Sequence, residues 1–297
     1  MATSNWNVQS IPDQSDKIII ITGATSGLGK QAAKVLASKN ATVIMAVRNT
    51  KKAEIVANEI RLEHPEAKLV IRQLDLGSLK SIKTFAADFL KSYNKLDVLI
   101  NNAGVMACPY SKTEDGFEVQ MGTNHFGPFA LTGLLFDLLK KTPDSRIVST
   151  SSIAHLRGNI HFSDINWETR KYNRVKAYAD SKIANLYFTY ELAKKCQAGH
   201  PLITAAHPGW TKTELDRHSG ITEFLGNILA QKVEMGTLPT LRAAFDLEAK
   251  TGDFFGPEGL FGIKGYPIKV KSNNLSHDEN IAKKLWDISE KITGVKY

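Results

Sequence analysis

The chain has 297 residues, 42% of them hydrophobic and 23% charged, with a formal net charge of +8, which is the composition of a soluble globular protein. Met1 to Lys17 is polar, without the basic and apolar stretches of a secretory signal, and no apolar run reaches the roughly 20 residues of a membrane helix. Cys108 and Cys196 form no CxxC pair and the basic residues are scattered. This speaks against a disulfide framework, a metal site or nucleic-acid binding, and for a reducing, cytoplasmic setting.

Lys17–Thr22 is a short isoleucine-rich run that predicts a strand, followed through glycines by helical spacing over Lys30–Lys39. The alternation continues with a strand at Thr42–Val47, a helix at Thr50–Glu63 and a strand at Leu69–Gln73. A helix follows over Ser78–Tyr93, with Ile82, Phe85, Phe89 and Leu90 on one stripe. Leu96–Asn101, Arg146–Thr150 and Leu202–Ala206 are further short apolar runs, separated by helices over roughly 116–140 and at Ala177–Lys195. Beyond Pro208 come an amphipathic stretch at Ile221–Val233, a Gly- and Pro-rich segment at Gly252–Gly265 around a last short strand, and a closing helix at Asp278–Ile292. Continuously apolar strands alternating with helices imply parallel strands covered on both faces. The expectation is one doubly wound Rossmann domain over 1–297, with about seven mostly parallel strands. Residues 1–15 read as an N-terminal extension and 208–262 as the substrate-facing region.

The turn from the first strand into the first helix reads Thr22-Gly23-Ala24-Thr25-Ser26-Gly27-Leu28-Gly29. Glycines let a backbone approach phosphates, and a helix N-terminus offers unpaired N–H groups with a positive dipole end. The second strand ends in Arg48, with no acid until Glu54. A guanidinium there suits a 2′-phosphate, as in NADP, where an acid would suit the free ribose of NAD.

Tyr178 and Lys182 lie four residues apart in a helical stretch, which puts them on one face with about 5–6 Å between Cβ atoms. A phenol titrates near about 10, and an ammonium at about 5 Å contributes about 3 kcal/mol at an effective dielectric of 20. That brings the tyrosine within range of acid–base work. Ser149 to Ser152 end one strand in hydroxyls, Asn101-Asn102-Ala103-Gly104 end another, and Ala206-His207-Pro208-Gly209 a third, all at the carboxyl edge where such sheets bind ligands. Asn124 falls inside the helical region 116–140, where a buried asparagine needs partners. His64, His125, His155, His161 and His207 show no metal-ligand spacing and read as structural or surface residues; Trp210 and Phe224 suit either a substrate pocket or the core.

The T-G-x-x-x-G-x-G turn, NNAG, Asn124, the Ser-Ser strand end, YxxxK and HPG follow one another in the order of the short-chain dehydrogenase/reductase family, which this chain resembles over residues 17–215. The strings VIMAVRN, SSIAHLRGNIHFSDIN and HPGWTKTEL are similar to those of retinol dehydrogenases, WW-domain oxidoreductases and protochlorophyllide reductases. The resemblance implies Tyr178 as general acid/base and Lys182 as the residue that lowers the tyrosine pKa and holds the nicotinamide ribose. It implies Ser152, the last of its pair, as the group orienting the substrate oxygen, and Asn124 as the anchor of a proton-relaying water. It also implies NADP(H) contacts from Gly23, Thr25, Ser26, Gly27, Leu28, Gly29, Arg48, Asp75, Leu76, Asn102, Ala103, Gly104, Pro208, Gly209 and Thr211, beside Tyr178 and Lys182. The expected partners are a lipophilic carbonyl or alcohol and, left open, a second copy of the chain. The membrane anchor usual in retinol dehydrogenases and the cysteines of protochlorophyllide binding are not recognisable. Two other readings share the fold. A sugar-nucleotide epimerase would resemble T-G-x-x-G-x-x-G at the turn. A redox sensor or scaffold without turnover would typically lack the tyrosine or the lysine, and both are present.

Overall fold

The computed structural model describes residues 5–196, 201–211 and 230–297. Strands β1 (Ile18–Thr22), β2 (Thr42–Val47), β3 (Lys68–Gln73), β4 (Val98–Asn101), β5 (Arg146–Thr150), β6 (Leu202–Ala206), β7 (Phe254–Pro257) and β8 (Pro267–Lys269) lie in one sheet, ordered β3-β2-β1-β4-β5-β6-β7-β8. Pairing is parallel except for β8, which runs antiparallel along β7 with Gly256 opposite Ile268. The fold is thus the doubly wound one, with one strand more than expected. A three-residue edge strand beginning at a proline carries almost no sequence signal.

Strand period places alternate residues on opposite faces. Ile19, Ile21, Val43, Met45 and Val148 face α1 (Gly27–Ala37), α2 (Thr50–Glu63) and the later helix Val233–Phe245. Ile20, Ile44, Leu99, Ile147 and Ile203 face α3 (Leu79–Ser92) and the helices Gly127–Lys141 and Arg174–Lys195. In α3 the stripe of Ile82, Phe85 and Phe89 is buried, whereas Leu90 is exposed. The N-terminal extension is packed: Ile11 is buried in the first cluster, with Trp6 and Val8 against it.

The region 116–140 is helical from Val119 onward, but not uniformly α. A single turn α4 (Val119–Met121) passes into a π-turn over Gly122–Phe126 before α5 (Gly127–Lys141) begins. Pro128 suits the widened turn, because it has no N–H to give the carbonyl of Asn124 four residues earlier. Helix α6 spans Arg174–Lys195 and starts earlier than its apolar pattern, since Asn173 accepts from Val175 N and Lys176 N. Helix α7 (Val233–Phe245) contains Pro239, which hid it from the sequence reading, and α8 (Glu279–Thr293) closes the chain from its Asp278 cap. Among the described residues no helix is long and apolar enough to cross a membrane. The amphipathic stretch Ile221–Val233 lies outside the described residues as far as Leu229, as does Phe224.

Candidate active site

Along the carboxyl edge of β1, β2, β4, β5 and β6 runs a cleft of about 540 Å³. Gly23, Thr25, Ser26, Gly27, Leu28 and Gly29 line it where β1 turns into α1. The Ser26 side chain makes no capping bond, so the first amides of α1 are open to a ligand. The turn is anchored from β4. Thr22 Oγ1 accepts from Asn102 N and Ala103 N at 3.0 and 2.9 Å, and Asn102 Nδ2 donates to Thr22 O at 2.8 Å. Glycine is required at 29, where a Cβ would lie 2.6 Å from Asn102 Nδ2 and closer still to Gly23 O.

Arg48 lines one end of the cleft, together with Asn49 and Lys52. Asn49 Oδ1 accepts from Lys52 N at 2.9 Å and so caps α2. Neither residue was singled out from the sequence; the available signal is an asparagine and a lysine at the start of the helix that follows Arg48. Asp75 and Leu76, after β3, line the same half. Asp75 Oδ1 accepts from Gly77 N at 2.8 Å, which shapes the turn.

Asn102, Ala103, Gly104, Val105, Met106, Cys108, Thr150, Ser151, Tyr178, Lys182 and Pro208 line the other half. Lys182 Nζ lies 5.5 Å from the Tyr178 ring centre and donates to Thr150 O at 3.2 Å. Burial pushes its pKa down to about 8, which still leaves the amine largely charged near neutrality. Gly104 separates Lys182 from Asn124: a Cβ there would sit 2.9 Å from Asn124 Oδ1 and 3.5 Å from Lys182 Nζ.

Ser152, Asn124, Gly209 and Thr211 do not line the cleft directly. Ser152 caps the 3-10 turn Ile153–Arg157, its Oγ accepting from Ala154 N at 3.2 Å, and that turn packs on α6. His155 Nδ1 donates to Ser152 O at 2.7 Å. Asn124 is buried and its side chain is fully used: Oδ1 accepts from Val105 N at 2.7 Å, and Nδ2 donates to Val105 O and Ser181 Oγ, each at 2.9 Å. Ser181 Oγ in turn donates to Tyr178 O at 2.7 Å. Thr211 Oγ1 donates to Pro208 O at 2.9 Å, and Gln231 Nε2 reaches the same oxygen at 2.7 Å. These bonds fix Pro208 from behind. Trp210 N donates to Ile263 O at 2.8 Å, joining the strand end to the segment after β7.

Of the histidines, His125, His155 and His207 are buried, and burial lowers the pKa of each, to about 3 for His125 and about 4 for His207; His155 lies near enough to His207 to add to that shift. Among the described residues no group of three His, Cys, Asp or Glu side chains is placed to hold a metal.

The short-chain dehydrogenase family model matches residues 17–223. Human retinol dehydrogenase 13 is 42% identical over 291 residues, covering 94% of this chain and 85% of its own length. An uncharacterised protein from Mycobacterium paratuberculosis superposes with a TM-score of 0.84 at 39% identity, covering 99% of each chain. A short-chain dehydrogenase from Shigella flexneri, complexed with NADP, gives a TM-score of 0.66 at 27% identity, covering 82% of this chain and 97% of the other. The chain belongs to the short-chain dehydrogenases, on their retinol dehydrogenase-like branch. It is an oxidoreductase that acts on CH–OH groups of small molecules with a nicotinamide cofactor.

Proposed function

We propose that this enzyme uses NADP(H) to interconvert a lipophilic carbonyl compound and its alcohol. The observation carrying the reading is one continuous cleft with Tyr178 and Lys182 at one end, Arg48, Asn49 and Lys52 at the other, and the glycine turn between. The cofactor fits this lining. Open amides at the start of α1 would hold its diphosphate, the Arg48 guanidinium its 2′-phosphate, and Lys182 the nicotinamide ribose. When bound, the nicotinamide supplies or accepts the hydride.

In the reducing direction the phenolic O–H of Tyr178 gives its proton to the carbonyl oxygen, and in the oxidising direction the phenolate takes it back. The ammonium of Lys182 favours negative charge on the phenol oxygen. Ser152 donates a hydrogen bond to the substrate oxygen as charge develops there, an interaction that strengthens in the transition state. The Asn124 carbonyl holds a water that returns a proton towards Lys182. The apolar side chains of Val105 and Met106 in the lining, and relatives named retinol dehydrogenases, support a lipophilic substrate. The described residues of 208–262, beyond the strand end at Pro208, are assigned to the substrate side, and the two unpaired thiols suit a cytoplasmic setting.

The test is a panel of aldehydes, ketones and alcohols, with retinal and retinol among them, followed at the nicotinamide absorbance with NADP(H) and NAD(H). Turnover of an apolar member with NADPH is expected. Tight NADPH binding without turnover of any member would favour a sensor instead.

A further inference from the structure

Val105, Met106 and Cys108 form the wall of the cleft beside Tyr178 and Lys182, yet they belong to neither strand nor helix. Their main chain is held by side chains from elsewhere. Asn124 takes both polar groups of Val105. Gln120 Oε1 accepts from Ala107 N at 2.7 Å. The Tyr172 hydroxyl lies 3.3 Å from Cys108 O, donates to Glu118 Oε1 at 2.8 Å and accepts from Gln120 Nε2 at 2.8 Å. Glu118 is wholly buried behind them, its carboxylate also accepting from Gln120 N and Met121 N at 3.0 and 2.7 Å.

A second observation shows that this arrangement constrains the wall. Ala107 has φ +49°, a left-handed conformation that a residue with a Cβ adopts only where its surroundings over-determine it. Gln120 holds the N–H of that residue. Tyr172 comes from the long segment between Ser152 and Tyr178, where its ring packs edge-on against Tyr110 and Trp167 at 5.1 and 5.5 Å.

We propose that Gln120 and Tyr172, backed by Glu118, are positioning residues that set which substrates the enzyme accepts. They keep the Val105–Cys108 wall from retreating, so that Met106 and Cys108 present a fixed surface to the group next to the reacting carbon. The inference rests on the oxidoreductase reading above. A wall without ladder hydrogen bonds would otherwise yield to a bulky substrate, and steric discrimination needs a lining that does not yield.

Tyr172→Phe keeps the ring and removes the hydroxyl. Its kcat/KM is measured with NADPH for a linear aldehyde and for one branched beside the carbonyl, together with the NADPH Kd. The ratio of the two kcat/KM values is expected to move about tenfold towards the branched substrate with the NADPH Kd unchanged. Both substrates meet the same fraction of folded enzyme, so a merely structural role would lower Tm and leave the ratio where it was. Should Tyr172→Phe not fold, Gln120→Met, which removes the partner of Ala107 N, carries the same expectation. An active wild type with an unchanged ratio in the folded variant overturns this inference alone. A wild type inert towards the whole substrate panel overturns the oxidoreductase reading and this inference with it.

Discussion

The hydroxyl of Ser151 donates to the main-chain oxygen of Lys182 at 2.8 Å, which ties the end of β5 to the middle of α6 and commits that proton to the fold. Ser152 is placed differently. Its Oγ accepts from Ala154 N, which occupies a lone pair and leaves the proton to be given elsewhere. On the proposed mechanism, two adjacent serines divide a structural from a chemical task.

Substitution separates them. Ser152→Ala is expected to lower kcat by about 100-fold, the usual loss when one donor to a developing oxyanion is removed. Its unfolding midpoint should fall modestly, since the bond from Ala154 N is lost as well. Ser151→Ala is expected to cost about 1 kcal/mol of stability, the net worth of a hydrogen bond, and to leave kcat within a few-fold. Urea unfolding and steady-state kinetics on both variants check this. The opposite pattern would move the chemical role to Ser151.

Arg48 and Lys52 lie at the same end of the cleft. Hydrogen bonds to a charged group contribute about 1.5–3 kcal/mol, so Arg48→Asp should lower kcat/KM for NADPH by about 100-fold. Use of NADH should change little, since an acid at this place suits a free ribose. Lys52→Ala should lower NADPH use by about tenfold, also without harming NADH. Competition between the two cofactors measures both. Equal use of NADH by the wild type would remove the ground for this assignment.

Most of the frame was legible because it repeats a simple pattern. Ile19 and Ile21 face one layer, Ile20 the other, and an isoleucine run between a polar start and a glycine turn says as much. The glycine turn and the Tyr178–Lys182 pair were legible because each needs particular residues at fixed spacing. What escaped depended on partners far away in the chain. Gln120 and Glu118 look like polar positions of a helix until Tyr172 and Ala107 are placed beside them. The π-turn at Asn124 had a local signal in Pro128, four residues on. Helix α7 was obscured by Pro239, which its packing against α1 and β7 outweighs.

Stability should fall with pH below neutrality. His125 and His207 are held uncharged by burial, with pKa values near about 3 and about 4, against about 6.5 in an unfolded chain. As pH drops below about 6.5 the unfolded chain takes up protons that the native state refuses. Stability is then lost at about 1.4 kcal/mol per pH unit for each histidine, until the native pKa is reached. Glu118 and Asp180 act in the opposite sense, since burial raises their carboxyl pKa values and the native state takes those protons first. Urea unfolding at pH 7, 6 and 5 should show a declining midpoint, and His125→Phe should flatten the slope. An identical slope in that variant would exclude His125 as a source.

In the proposed mechanism the chemical step rests on Tyr178 and Lys182, one turn apart on α6, with Nζ 5.5 Å from the phenol ring centre. Tyr178→Phe removes only the hydroxyl. It should lower kcat by about 100-fold or more, the size of a positioned acid–base contribution. NADPH affinity should barely change, because the phenol is assigned to the substrate oxygen. Lys182→Met should reduce both turnover and cofactor binding, since the same amine is assigned to the phenol and the ribose. Burial has already brought Lys182 down to about 8, so the wild-type kcat for reduction should decline as pH rises through that value and the amine loses its charge. Rapid mixing of enzyme, NADPH and a substrate found in the panel separates binding from turnover in each variant. If Tyr178→Phe turned over at near the wild-type rate, another group would have to deliver the proton, even with fold and cofactor as described.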